Sequence, residues 1–279
     1  MKRCKIVLLL LVGWVCVMAQ TDSLSSSSAE AKLHTSPVRT QVRMLGIGSA
    51  EILDTYLSPE DYNGFSLRYI AMNEWADKRN DRFTHRFTHE GMFSRVRNRA
   101  DNNSELGGQY FFRYALLHQW TIADGRLRFF FGGEAEATTG FLYNTRNQNN
   151  PAQARLSLHI APMTGVDYRF LVGKRPCRLR YEASVPLVGM MFSPNYGQSY
   201  YELFNRGNYD HNLVFTTVGS VPSLRQQLAF DFPVSRFYLR VGYLGDYRQA
   251  SVNGLKYHEY SHSLLVGIVS RFSITHFRL

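Results

Sequence analysis

His258-Glu259-Tyr260-Ser261-His262 has the HExxH spacing in which two histidines share one zinc ion and the intervening glutamate serves as base. That chemistry needs a helix, because only there do positions four apart fall on one face. In a strand the two imidazoles stand about 13 Å apart at roughly 3.3 Å per residue and cannot hold the same ion. The following residues favour a strand: Leu264, Val266, Ile268, Phe272 and Ile274 alternate, and no glutamate comes after Glu259. Leu265 and Ile268 stand where the extended zinc motif has glycine and histidine. The expectation is a rim of histidine and tyrosine with no metal, no cofactor and no catalytic role. His85 and His89 repeat the spacing with the same reading.

The element that places these residues recurs along the chain. Leu127, Phe129, Phe131, Ala135, Ala137, Phe141 and Tyr143 alternate with Arg128, Glu134, Glu136 and Thr138, so one face suits lipid and the other a polar interior. Leu156 to Phe170 and Phe237 to Tyr247 repeat the pattern. These segments are longer than the five or six residues of an ordinary soluble strand, and a tilted membrane strand needs about nine to eleven. Strands are expected at 41–54, 64–76, 83–98, 107–122, 126–144, 153–172, 177–193, 211–232, 236–249 and 256–273. The fold predicted is all-β, an antiparallel transmembrane β-barrel of about ten strands. Pro222 interrupts the eighth segment and makes twelve the alternative.

Connectors sort into short ones (77–82, 123–125, 173–176, 233–235) and longer ones (55–63, 99–106, 145–153, 194–210, 250–255). In outer-membrane barrels short turns face the periplasm and long loops face outward, which puts both chain ends in the periplasm. The alternation predicts an inward ion-pair network of Arg68, Glu74, Arg86, Glu90, Arg113, Arg128, Glu134, Glu136, Arg155, Asp167, Arg169, Arg180, Glu182, Arg240 and Asp246, with Arg178 on the same face. Because a small barrel has an interior scarcely wider than its side chains, such groups should fill it. Tyr196, Tyr200, Tyr201, Phe204 and Tyr209 make the loop 194–210 the candidate contact surface, since tyrosine offers large amphipathic area.

Residues 1–19 read as a secretory signal, with Lys2, Arg3 and Lys5 before the apolar run Ile6 to Met18 and Ala19 at the cleavage site. Residues 20–40 read as a Ser-rich disordered leader, and 41–279 as the barrel. Removing the three signal cations lowers the formal charge from +10 to +7 and leaves Cys177 as the only cysteine of three, so no internal disulfide forms. The arginines are spread over many strands, which excludes nucleic-acid recognition and suits a partner surface of outer-membrane lipid and lipopolysaccharide. Mean hydropathy of -0.26 is no objection, because half of every barrel strand is polar.

Two blocks carry a likeness: Gly46-Ile-Gly-Ser with Leu53-Asp-Thr-Tyr-Leu-Ser-Pro59-Glu-Asp-Tyr62-Asn-Gly64, and Arg240-Val-Gly-Tyr243-Leu-Gly-Asp246-Tyr-Arg248-Gln with Lys256-Tyr-His258-Glu-Tyr-Ser-His262. They resemble a domain-of-unknown-function family of Gram-negative envelope proteins, which implies an outer-membrane barrel and carries no activity or catalytic residues with it. The end Gly267 to Leu279 resembles the C-terminal assembly signal of such barrels, implying the barrel-assembly machinery as a partner, although Leu279 replaces the usual aromatic residue.

The reading is a non-enzymatic structural or binding scaffold of the outer membrane with a side-chain-filled lumen. A small Arg-lined channel is one alternative. The other is a rim hydrolase acting on lipid or peptide, either as in omptin proteases, through Asp210-His211, or by deacylation through Glu259, His262 and Ser263. Alternation turns His262 outward and Glu259 and Ser263 inward, so that set does not converge.

Overall fold

The structure, a computed structural model, describes residues 38–148, 150–235 and 237–273. The signal segment, residues 20–37 of the leader and the last six residues lie outside them. Long alternating segments with β-branched and aromatic residues pair into antiparallel strands: β1 (Val38–Asp54), β2 (Ser58–Ala76), β3 (Phe83–Asn98), β4 (Ser104–Ile122), β5 (Leu127–Asn144) and β6 (Ala152–Val172) are successive neighbours. The wall continues through β7 (Arg175–Ser184), β10 (Leu224–Val234), β11 (Phe237–Val252) and β12 (Leu255–Ser273). β12 closes it on β1, from Val38 opposite Ser273 to Asp54 opposite Tyr257. The molecule is a closed ten-stranded antiparallel barrel with two added strands.

Those two, β8 (Val188–Phe192) and β9 (Leu213–Thr217), are the far ends of interrupted wall strands. Pro186, which has no N–H to donate, sits between β7 and β8, and both pair with β6. Ser184 and Val188 are four residues apart, whereas their partners Arg225 and Thr217 are eight apart. The surplus is the Val218–Ser223 loop around Pro222. The expected segments 177–193 and 211–232 are thus each one broken strand, which settles the wall at ten.

Boundaries differ elsewhere. The wall begins at Val38 rather than at 41, so Arg39 and Thr40 belong to β1 and not to the leader. The connectors expected at 55–63 and 250–255 shrink to Thr55–Leu57 and Asn253-Gly254, because β2 and β11 run on to the rim. Asn253 and Gly254 adopt φ of 54° and 72°, the paired positive values of a tight hairpin turn. The long loops, 99–103, 145–151 and 193–212, nevertheless share the end opposite Val38 and Ser273, hereafter the loop end.

Burial is inverted relative to a soluble protein. Leu45, Ile47, Phe65, Leu67, Phe129, Phe131, Leu158 and Val266 are exposed on the outside, while Arg86, Arg113 and Arg240 are no more than 2% exposed inside. A soluble sandwich would bury the first set; a transmembrane barrel presents it to lipid.

Candidate functional site in the lumen and at the loop end

Strand alternation sends one residue in two into the lumen, and there the charges meet in two tiers. Near the chain termini, Glu74 accepts from Arg86 at 2.9 Å and Arg180 at 3.2 Å, and Glu182 from Arg86 at 3.0 Å and Arg180 at 2.9 Å. Asp167 pairs with Arg128, and Asp231 takes Arg178 and Arg240, each at 2.6 Å. In the next tier Glu90 joins Arg68, Arg113 and Arg225, Asp246 joins Arg68, Arg225 and Arg248, and Glu136 joins Arg113 and Arg248. Above them Asp54 and Arg155 form a separate pair at 2.6 Å. Guanidinium planes also lie on rings: Arg86 and Arg180 on Phe130, Arg113 and Arg248 on Phe111, and Arg155 on Tyr257 at 3.5 Å.

Of the fifteen network residues expected from sequence, thirteen enter these pairs. Arg169 lies on the inward face but near the open mouth at the terminal end, exposed and in no salt bridge among the described residues. Glu134 is 5% exposed yet makes no ion pair or hydrogen bond among the described residues, and it faces a cavity of about 70 Å³. Sequence reasoning missed Asp54, Arg225, Asp231 and Arg248. Arg248 shares the parity of Arg240 and Asp246 and was findable; Arg225 and Asp231 follow the break at Pro222, where alternation gives no phase.

The loop 193–212 folds back on the rim. Its single helical turn, α1 (Tyr200–Phe204), is capped by Ser199, whose hydroxyl accepts the Glu202 N–H while the Glu202 carboxylate accepts the Ser199 N–H. Those bonds hold the Glu202 carboxyl below its usual range. Leu203 is fully buried, and the Tyr200 hydroxyl accepts from Ala154 N–H at 2.7 Å and donates to Gln153 at 2.8 Å. Tyr200 is therefore an anchor, and it leaves the expected contact set. Tyr196, Tyr201, Phe204 and Tyr209 remain outward, each at least 59% exposed.

The catalytic motifs do not assemble. His258, Tyr260 and His262 point outward from β12, with His258 stacked on Tyr260 and His262 hydrogen-bonded to Tyr243 at 2.5 Å. Glu259 points inward to Gln109 and Tyr257, and Ser263 is buried. His85 and His89 likewise face outward, bonded to Tyr114 and Tyr110. Asp210 and His211 touch at 2.6 Å in full solvent exposure, with no second acidic pair beside them among the described residues.

A family model described as "Protein of unknown function (DUF3316)" matches residues 5–278. The chain belongs to the DUF3316 family. No curated protein matches it. Among solved structures, this DUF3316 chain is similar to the transport unit of the autotransporter AIDA-I from Escherichia coli at 7% identity and a TM-score of 0.48, over 94% of this chain and 97% of that one. It is similar to the outer membrane protease OmpT from Escherichia coli at 7% identity and 0.44, over 90% and 100%. The translocator domain of the autotransporter NalP from Neisseria meningitidis gives 10% identity and 0.39, over 97% and 96%. No functional reading follows from similarity at this level.

Proposed function

We propose that this DUF3316 protein is a non-enzymatic scaffold of the Gram-negative outer membrane, closed inside by its own side chains and presenting the loop 193–212 to the exterior. The exposed apolar belt supports the membrane, and the longer loops support an outward loop end and periplasmic termini. Lipid and lipopolysaccharide are then its surroundings, and the barrel-assembly machinery its route into them. The observation that carries the reading is the two tiers of ion pairs filling the lumen, one around Glu74, Asp167 and Asp231 and the next around Glu90, Glu136 and Asp246. Purified protein in planar bilayers should give a flat current at all voltages up to membrane rupture; discrete steps abolished by blocking the lumen would overturn the reading.

A narrow anion channel is the second reading. It is favoured by a vestibule of about 490 Å³ at the terminal end, lined by Arg126, Arg169, Arg178 and Arg271. Anion-selective steps that weaken in the Arg169→Ala variant are its expected signature.

A further inference from the structure

We propose that Glu51, Asp61 and His258 bind one divalent transition-metal ion, with zinc the best fit, on the outer surface of the barrel at its loop end. The three come from three adjacent strands. Glu51 of β1 lies opposite Tyr260 of β12 and Asn63 of β2, and His258 and Asp61 precede those partners by two residues, so all share the outward face. One ligand atom from each residue lies within 4.8 Å of the other two. The imidazole supplies an independent sign: His258 Nε2 is sealed from solvent and makes no hydrogen bond, although it stands 3.4 Å from an Asp61 carboxylate oxygen. Stacking on Tyr260, with centroids 4.6 Å apart, fixes that ring. Glu51 has no ion pair or hydrogen bond among the described residues.

One imidazole nitrogen and two carboxylate oxygens form a mixed N/O set whose two negative charges balance a dication. Calcium and magnesium favour oxygen ligands in six or more positions, whereas zinc accepts histidine with carboxylates at about 2.0–2.2 Å. Tetrahedral ligands at that radius are about 3.4 Å apart, so side-chain rotation closes the set while the strands stay in register. The fourth position faces outward, open to water or to an anionic oxygen. The site uses His258 without His262, and it is invisible to linear motif reading because Glu51 and Asp61 belong to the first two strands and His258 to the last.

Zinc chloride titrated calorimetrically into the refolded full-length barrel, in detergent without chelating groups, tests the assignment. The expected result is one equivalent bound, not displaced by a tenfold excess of magnesium, and at least tenfold weaker binding in both His258→Ala and Glu51→Gln/Asp61→Asn. His211→Ala, at the exposed Asp210 pair, should bind as the parent does. Heat-modifiable migration of each variant establishes that it is folded. Absence of zinc binding by the parent, or parent-like binding by folded His258→Ala, overturns the site.

Discussion

At the level of single residues, the lumen holds more ionised groups than its apolar surface would carry unpaired. A buried ion pair adds little over a well-packed apolar pair, but removing one partner strands the other at about 3–5 kcal/mol. Asp54 and Arg155 are the cleanest case, since among the described residues each forms an ion pair only with the other. Asp54→Leu should lose about that amount in denaturant unfolding, whereas Asp54→Leu/Arg155→Met should recover most of it; equal losses in both would show that the pair is not the source. Glu202 supplies a pH dependence. Its folded value is depressed by the Ser199 bonds, so its support for α1 is present above the ordinary Glu value of about 4.3 and lost as pH falls through the depressed value. Amide protection at residues 199–205, taken relative to the intrinsic exchange rate at each pH, should fall over that acidic window in the parent and show no such transition in Glu202→Gln. Residue roles were legible wherever alternation had a phase: Arg68, Arg86, Glu90 and Arg113 could be placed inside from neighbouring strands alone. Tyr200 could not, because nothing local distinguishes a tyrosine that bonds Gln153 from the three, Tyr196, Tyr201 and Tyr209, that face water.

At the level of strands, the interruptions at Pro186 and 218–223 divide the wall into unequal parts. β1 is paired along both sides, while among the described residues β9 has a ladder to β8 alone, and β11 is met there by the loop after β9, through the Ser251 N–H to Ser220 carbonyl bond at 2.8 Å and the Gln249 N–H to Ser223 hydroxyl bond at 3.1 Å. Exposed backbone groups exchange through local opening. Amides of Leu213–Thr217 should therefore exchange at least tenfold faster than those of Leu45–Gly48; uniform protection around the wall would contradict this pairing. Proline marked both breaks in the sequence, yet their nature was hidden, because whether a break splits a strand or merely dents it depends on the partner's register. The hairpin at Asn253-Gly254 was obscured for the opposite reason. Polar residues at a rim look like loop even while they remain in the ladder.

For the whole molecule, a filled interior predicts inaccessibility as well as electrical silence. Ser66 is fully buried on the luminal face and Ser251 lies exposed at the loop end. In a Cys177→Ser background, Ser66→Cys should resist a membrane-impermeant maleimide until the barrel is unfolded, and Ser251→Cys should react at once. Rapid labelling of the folded Ser66→Cys protein would mean an aqueous path through the lumen. The barrel was legible at this scale because inside-out burial writes itself into period-two polarity. Specific partners were not, since their recognition would lie on a loop whose folded shape depends on contacts far away in sequence.

One of those contacts reaches furthest. The Asn253 side-chain amide donates to the carbonyls of both Ser193 and His211, and its own carbonyl receives the Tyr196 N–H. A residue from another hairpin thus clasps the loop at both ends. Beyond the Tyr200 anchor and the buried Leu203, the exposed stretch 205–210 can change in length and composition without disturbing the wall, so natural variation should concentrate there, and a foreign epitope grafted into it should leave the barrel intact.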